Sequence, residues 1–151
     1  MNPEETGETL YVETSALLRA FLERDVEVEA SLARCGRFFT SALTLVEAPR
    51  ALARARRDGR VDPALIEEAQ RRFALFVQAT TVVEITPEVR ERAALDFPVE
   101  PVRSLDAIHL ATLVSWADAF SPLRVATCDE RVSRNAVALG FEVVPPSRPV
   151  S

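Results

Sequence analysis

The sequence predicts an α/β fold with a central, mostly parallel sheet flanked by helices, on three observations. Short β-prone runs such as Thr9 to Val12 and Leu123 to Thr127 alternate with longer stretches whose apolar residues recur at helical spacing. The cap-plus-proline pairs Asp62-Pro63 and Thr86-Pro87 mark helix starts, and Gly59 and Gly140 mark helix ends. Strands alternating with amphipathic helices pair in parallel through right-handed crossovers, which covers the sheet on both faces. The 151 residues, nearly half of them apolar, suffice for one domain with an ordinary core, and no internal repeat breaks the chain. The ordered core is expected over about residues 9–145, with flexible termini that include the proline-rich tail.

The elements follow in order. Thr9 to Val12 is the first strand, and Ser15 to Glu23 is a helix carrying Leu17, Leu18, Phe21 and Leu22 on one face. Arg37 to Thr40 is the second strand. Thr44 to Arg57 has helix composition and stops at Gly59; with Thr44 as N-cap, Pro49 removes one bond just past the first turn and predicts a kink or a loosened start. From Asp62-Pro63 runs a helix on which Leu65, Ile66, Ala69, Phe73, Phe76 and Val77 form one apolar face, and Thr80 to Ile85 is the third strand. Thr86-Pro87 opens a helix to about Leu95, the Pro98 to Pro101 linker separates it from a helix over Ser104 to Trp116, and Leu123 to Thr127 is the fourth strand. A helix from Asp129 to Leu139 ends at Gly140 and leads to the last strand, Phe141 to Val144.

Composition excludes several functions. All 18 basic side chains are arginine, so neither a P-loop lysine nor Schiff-base chemistry is available. A net charge of −5 argues against coating nucleic acid by bulk electrostatics, while leaving room for a local basic stripe. Cys35 and Cys128 have no metal-site spacing and read as free thiols. No apolar run is long enough to span a membrane, and Met1 to Thr9 is acidic where a signal peptide would be basic, so a cytoplasmic protein is expected.

In open parallel sheets ligands bind beyond the carboxyl ends of the strands, which directs attention to Glu13 and Asp129. Asp106 and Glu47 each fall in the first turn of a helix. With no basic residue interposed, four converging carboxylates would repel one another unless a cation neutralised them. All-oxygen coordination suits Mg²⁺ or Mn²⁺, whose retained waters can serve as nucleophile in phosphodiester cleavage. Each acid also has an ordinary explanation. Thr44-Leu45-Val46-Glu47 fits a capping box, Asp106 and Asp129 complement helix dipoles, and Glu13 could be leaving the sheet for solvent. The joint pattern favours the metal site.

Four strings carry a resemblance: Leu10 to Leu17 (LYVETSAL), Ser41 to Glu47 (SALTLVE), Ser104 to Ala111 (SLDAIHLA), and Thr127-Cys128-Asp129. In order and spacing they resemble the successive motifs of a PIN domain, over almost the whole chain, with the third the most specific. Length and motif order resemble the VapC-type toxins of bacterial toxin–antitoxin pairs, metal-dependent endoribonucleases held inactive by a cognate antitoxin. The resemblance implies a three-layer PIN-like fold and Mg²⁺ or Mn²⁺ held by Glu13, Glu47, Asp106 and Asp129, with Ser15 and Thr127 in support. It also implies an RNA substrate, an antitoxin partner and a homodimer. The family's first motif ordinarily carries aspartate where this chain has Glu13. The extra methylene moves the carboxylate by about 1.5 Å, which predicts altered geometry and reduced turnover. The alternative is a PIN domain weakened in catalysis that binds RNA or a protein.

Other residues have weaker claims. His109, the only histidine, follows Asp106 by three positions and reads as a half-buried structural residue ahead of a base or ligand. Strand alternation turns Cys128 away from Asp129. Thr14 or Ser15 can orient a water or cap the first helix. Arg50, Arg54, Arg56, Arg57 and Arg60 form a basic stretch suited to RNA phosphates or simply to a solvated face, and Arg103 is a better-placed phosphate contact. A phosphoacceptor signalling domain also gathers acids at a sheet edge, but such domains use a lysine this chain lacks.

Overall fold

The computed structural model describes residues 7–146. The expectation of flexible termini falls largely on residues 1–6 and 147–151, outside the described residues. Five strands, β1 (Thr9–Val12), β2 (Arg37–Ser41), β3 (Thr81–Val83), β4 (Leu123–Ala126) and β5 (Glu142–Val144), form one sheet in the order β3-β2-β1-β4-β5. Every pairing is parallel. The helices are α1 (Thr14–Phe21), α2 (Val26–Ala33), α3 (Thr44–Asp58), α4 (Pro63–Ala79), α5 (Pro87–Ala93), α6 (Ser104–Trp116) and α7 (Glu130–Ala138).

β1 is central, and its apolar residues Leu10, Tyr11 and Val12 are fully buried because helices cover both faces. Alternation along the strand divides the core. Leu10 and Val12 pack with Ala16, Leu17 and Ala20 of α1 and Val28 of α2, whereas Tyr11, in register with Phe39 and Val125, packs with Leu113 of α6 and Ala136 of α7. The chain builds outward from β1 to β3 on one side and returns through β4 to β5 on the other. The direction of winding therefore reverses beside β1, a crevice at whose carboxyl edge Glu13 emerges.

Three expectations need correction. Helix α2 has no counterpart in the sequence reading, because Val26-Glu27-Val28-Glu29 alternates with strand period; the helix is started by Asp25, whose side chain accepts from the Glu27 and Val28 N–H groups. β3 is shorter than Thr80 to Ile85, since this edge strand pairs with β2 over Thr81 to Val83 alone. Thr44 is not the N-cap of α3. That position belongs to Leu43, which is already helical (φ −57°, ψ −37°) and makes no side-chain cap bond. The α3 start is tightened instead by three-residue bonds, Leu45 N–H to Ala42 O at 3.1 Å and Val46 N–H to Leu43 O at 3.0 Å, and the helix runs on past Pro49. It stops at Gly59, whose φ of 64° glycine adopts without strain.

Candidate active site

Glu13 closes β1 and caps α1 from an extended backbone (φ −81°, ψ 149°). Only 5% exposed, its carboxylate accepts from the Ser15 N–H at 3.1 Å, from the Thr127 hydroxyl at 2.8 Å and from the Ser15 hydroxyl. Ser15 Oγ in turn accepts from the Cys128 N–H at 2.8 Å, and Thr127 Oγ1 from the Asp129 N–H at 3.1 Å. Ser15 and Thr127 thus stitch the end of β1 to the end of β4. Each of these three donors replaces a water that the buried carboxylate has lost.

Glu47 lies in the first turn of α3, but the capping box does not form. Thr44 is buried, with its hydroxyl 2.9 Å from that of Thr40 and 3.1 Å from that of Thr14. Glu47 turns inward and accepts from Thr14 at 2.9 Å, with His109 Nε2 at 2.5 Å on the same oxygen. Burial works to raise the Glu47 carboxyl, but the His109 and Thr14 hydrogen bonds outweigh it and hold the group below its ordinary value.

His109 is 1% exposed rather than half-buried, and it stands inside the site. Its Nδ1 meets the Tyr11 hydroxyl at 2.7 Å, and its Nε2 lies 3.7 Å from Glu13. Burial, followed by the charges of Glu13 and Glu47, pushes the Tyr11 phenol well above its usual range, so it stays protonated. The sequence reading passed over Tyr11. The available signal was the strand period, which puts residue 11 on the same face as residue 13.

Asp106, in the first turn of α6, is 8% exposed, and Asp129 caps α7 by accepting from the Val132 N–H at 3.0 Å. The expectation of carboxylates with no basic residue among them is overturned: Arg103 Nε lies 3.0 Å from Asp106 and its NH2 group 3.4 Å from Asp129. The reason is local. Arg103 occupies the N-cap position of α6, three residues before Asp106, so its side chain folds across that first turn. The structure therefore brings together Glu13, Glu47 and His109, whose ligand atoms lie within 4.8 Å of one another, and ties Asp106 and Asp129 beside each other through arginine. The buried Glu13 and half-buried Glu47 carboxylates offer oxygen donors that fit a hard divalent cation, with the imidazole beside them.

Of the proposed RNA contacts, Arg50 and Arg54 are exposed on α3 and have no ion-pair partner among the described residues. Arg103 has most of its side chain exposed despite its two partners. Cys128 packs against the core cluster containing Leu10 and Val12, and burial pushes its thiol up to about 11. Alkylation of Cys128 by iodoacetamide should accordingly be slow at pH 8 and gain about tenfold per pH unit toward pH 11; rapid labelling at neutral pH would contradict this.

Comparison with known proteins agrees with the geometry. A family model for the PIN domain matches residues 10–138. Ribonuclease VapC35 of Mycobacterium tuberculosis (strain ATCC 25618 / H37Rv) is 34% identical over 146 residues, 92% of this chain and 98% of that protein. The fold is similar to that of VapBC2 from Rickettsia felis bound to a DNA fragment from their promoter (TM-score 0.61, 8% identity, 89% of this chain and 96% of that one). It is also similar to a toxin–antitoxin complex from Klebsiella pneumoniae (TM-score 0.60, 17% identity, 93% of this chain and 99% of that one). Among the described residues no helix is long and apolar enough to cross a membrane.

Proposed function

This chain belongs to the PIN domain family, and from that premise we propose that it is a divalent-metal-dependent endoribonuclease, the toxin of a toxin–antitoxin pair. The observation that carries the reading is the convergence of the buried Glu13 and half-buried Glu47 carboxylates at the carboxyl edge of β1 in a relative of Ribonuclease VapC35. Glu13 and Glu47 would hold the metal, with Asp106 and Asp129, paired to Arg103, completing the acidic surround. When bound, a hard divalent ion supplies Lewis-acid activation of water and of the phosphodiester. The oxygen-rich donors favour Mg²⁺ or Mn²⁺. Ser15 and Thr127 orient the Glu13 carboxylate through their hydroxyls. Arg103, most of its side chain exposed, would meet RNA phosphates together with the exposed Arg50 and Arg54. In this reading the protein is a cytoplasmic homodimer controlled by a cognate antitoxin; its likeness to VapBC2 and to a toxin–antitoxin complex supports the antitoxin partner.

A second reading, a PIN domain weakened in catalysis that binds RNA or a partner protein, is favoured by glutamate at position 13 where the family's motif carries aspartate. One experiment separates the two. Purified chain is incubated with a structured-RNA pool in Mg²⁺, in Mn²⁺ and in EDTA, beside Asp106→Asn. Cleavage is expected with either ion and not in EDTA, with the variant slower by at least about 100-fold. Cleavage that survives EDTA, or an undiminished variant, would refute the nuclease site.

A further inference from the structure

Proximity alone makes His109 look like a third metal ligand. The hydrogen-bond polarity around it says otherwise. A carboxylate such as Glu47 can only accept, so the nitrogen 2.5 Å away must carry the hydrogen of that bond. A neutral imidazole protonated at Nε2 has a bare Nδ1, and that nitrogen lies 2.7 Å from the Tyr11 hydroxyl, whose single proton it accepts. The reverse arrangement, with Nδ1–H donating to the phenol, would strip a carboxylate–imidazole contact of its hydrogen and leave two acceptors facing each other at 2.5 Å. Burial allows no water to relieve such a clash: Tyr11 is 0% and His109 1% exposed.

We propose that Tyr11 and His109 form a relay of fixed polarity, Tyr11 O–H to His109 Nδ1 and His109 Nε2–H to Glu47, in which His109 is a positioning residue and not a ligand. A nitrogen bearing hydrogen has no lone pair for a cation. The relay pins Glu47 through Oε1, which also accepts from Thr14, and among the described residues Oε2 takes no hydrogen bond and is left for a metal. The sheet supplies the rigidity. Tyr11 is fixed by its pairing in β1 and by packing on Phe39, and α6 holds His109 one turn beyond Asp106. Such partners behind a carboxylate typically set metal affinity or activity by about 10- to 100-fold.

The inference rests on the reading of Glu47 as a ligand, and its test keeps the two apart. Because the chain has one histidine, two-bond ¹H–¹⁵N spectra of the full-length protein report its tautomer without ambiguity. The metal-free native protein should show the Nε2–H form, unchanged on titration with Mg²⁺. Tyr11→Phe, which leaves Nδ1 without its donor, should keep the Nε2–H form but bind Mg²⁺ about 10- to 100-fold more weakly by calorimetry. His109→Gln, whose amide N–H can replace Nε2–H, should retain more affinity than His109→Ala. An Nδ1–H or doubly protonated ring in the native protein, loss of the Nε2 hydrogen on adding Mg²⁺, or undiminished affinity in Tyr11→Phe would each overturn the relay. Failure of the metal-site reading looks different: the Nε2–H tautomer is present, yet the native chain binds neither Mg²⁺ nor Mn²⁺.

Discussion

Replacing Glu13 by glutamine is expected to reduce metal-dependent RNA cleavage by at least about 100-fold, with a parallel loss of metal affinity. The change is nearly isosteric, so packing at the end of β1 should survive. The electrostatics would not. Glu13 accepts from the Ser15 N–H, the Ser15 hydroxyl and the Thr127 hydroxyl, and an amide must turn its NH₂ group toward at least one of them. One negative charge also leaves a site in which, among the described residues, Glu13 and Glu47 are the carboxylates within reach of a common cation. Calorimetric titration with Mn²⁺ and single-turnover cleavage would measure both losses, and circular dichroism would confirm the fold. Activity within a few-fold of native would remove Glu13 from the site. Glu13→Asp is the companion test. Shortening the side chain withdraws the carboxylate by about 1.5 Å and restores the family's usual residue, so metal affinity should change and turnover should rise. If neither moves, the methylene is without consequence.

The largest effect on stability is expected at Asn135, where alanine should cost about 2–4 kcal/mol. Asn135 is fully buried in α7. Its Oδ1 accepts from the Val99 N–H at 2.9 Å, and its Nδ2 donates to the carbonyls of Val99 at 2.9 Å and Arg131 at 3.0 Å. Alanine would orphan both main-chain groups of Val99 in the segment between α5 and α6. That segment leads into Arg103 and the first turn of α6, so loosening it should also free the Arg103 contacts with Asp106 and Asp129. Asn135→Asp should be worse than alanine near neutral pH, because it substitutes a buried charge for the donor and faces the Val99 and Arg131 carbonyls with it. Urea titration of the three proteins would decide. A loss below about 0.5 kcal/mol for alanine would mean that the Val99 segment holds its place without Asn135.

Much of the fold was legible in the chain because local chemistry dictates it. The alternating runs, the Asp62-Pro63 and Thr86-Pro87 starts and the glycines at 59 and 140 act within a few residues, and the structure follows them closely. α2 escaped because its apolar residues alternate with glutamates, and only the Asp25 cap betrays a helix. The acidic residues of the candidate site were likewise legible as residues, since each sits at a strand end or in the first turn of a helix, where the topology of a parallel sheet directs ligands.

How those residues relate was not legible. Whether Glu47 closes a capping box or turns into the core depends on Thr44 being drawn to Thr40 and Thr14, a contact across thirty residues of sequence between α1 and α3. Whether His109 is a bystander depends on Tyr11, nearly a hundred residues away. Whether Asp106 and Asp129 face a cation alone depends on one arginine side chain spanning two helix starts. Apart from α2, the elements and the chemical inventory follow from local sequence, because propensity, capping and period are short-range. Only the tertiary structure decided which hydrogen bonds those groups make, because in a buried site each polar atom must find its partner among whatever the packing brings near, and that choice is made through space.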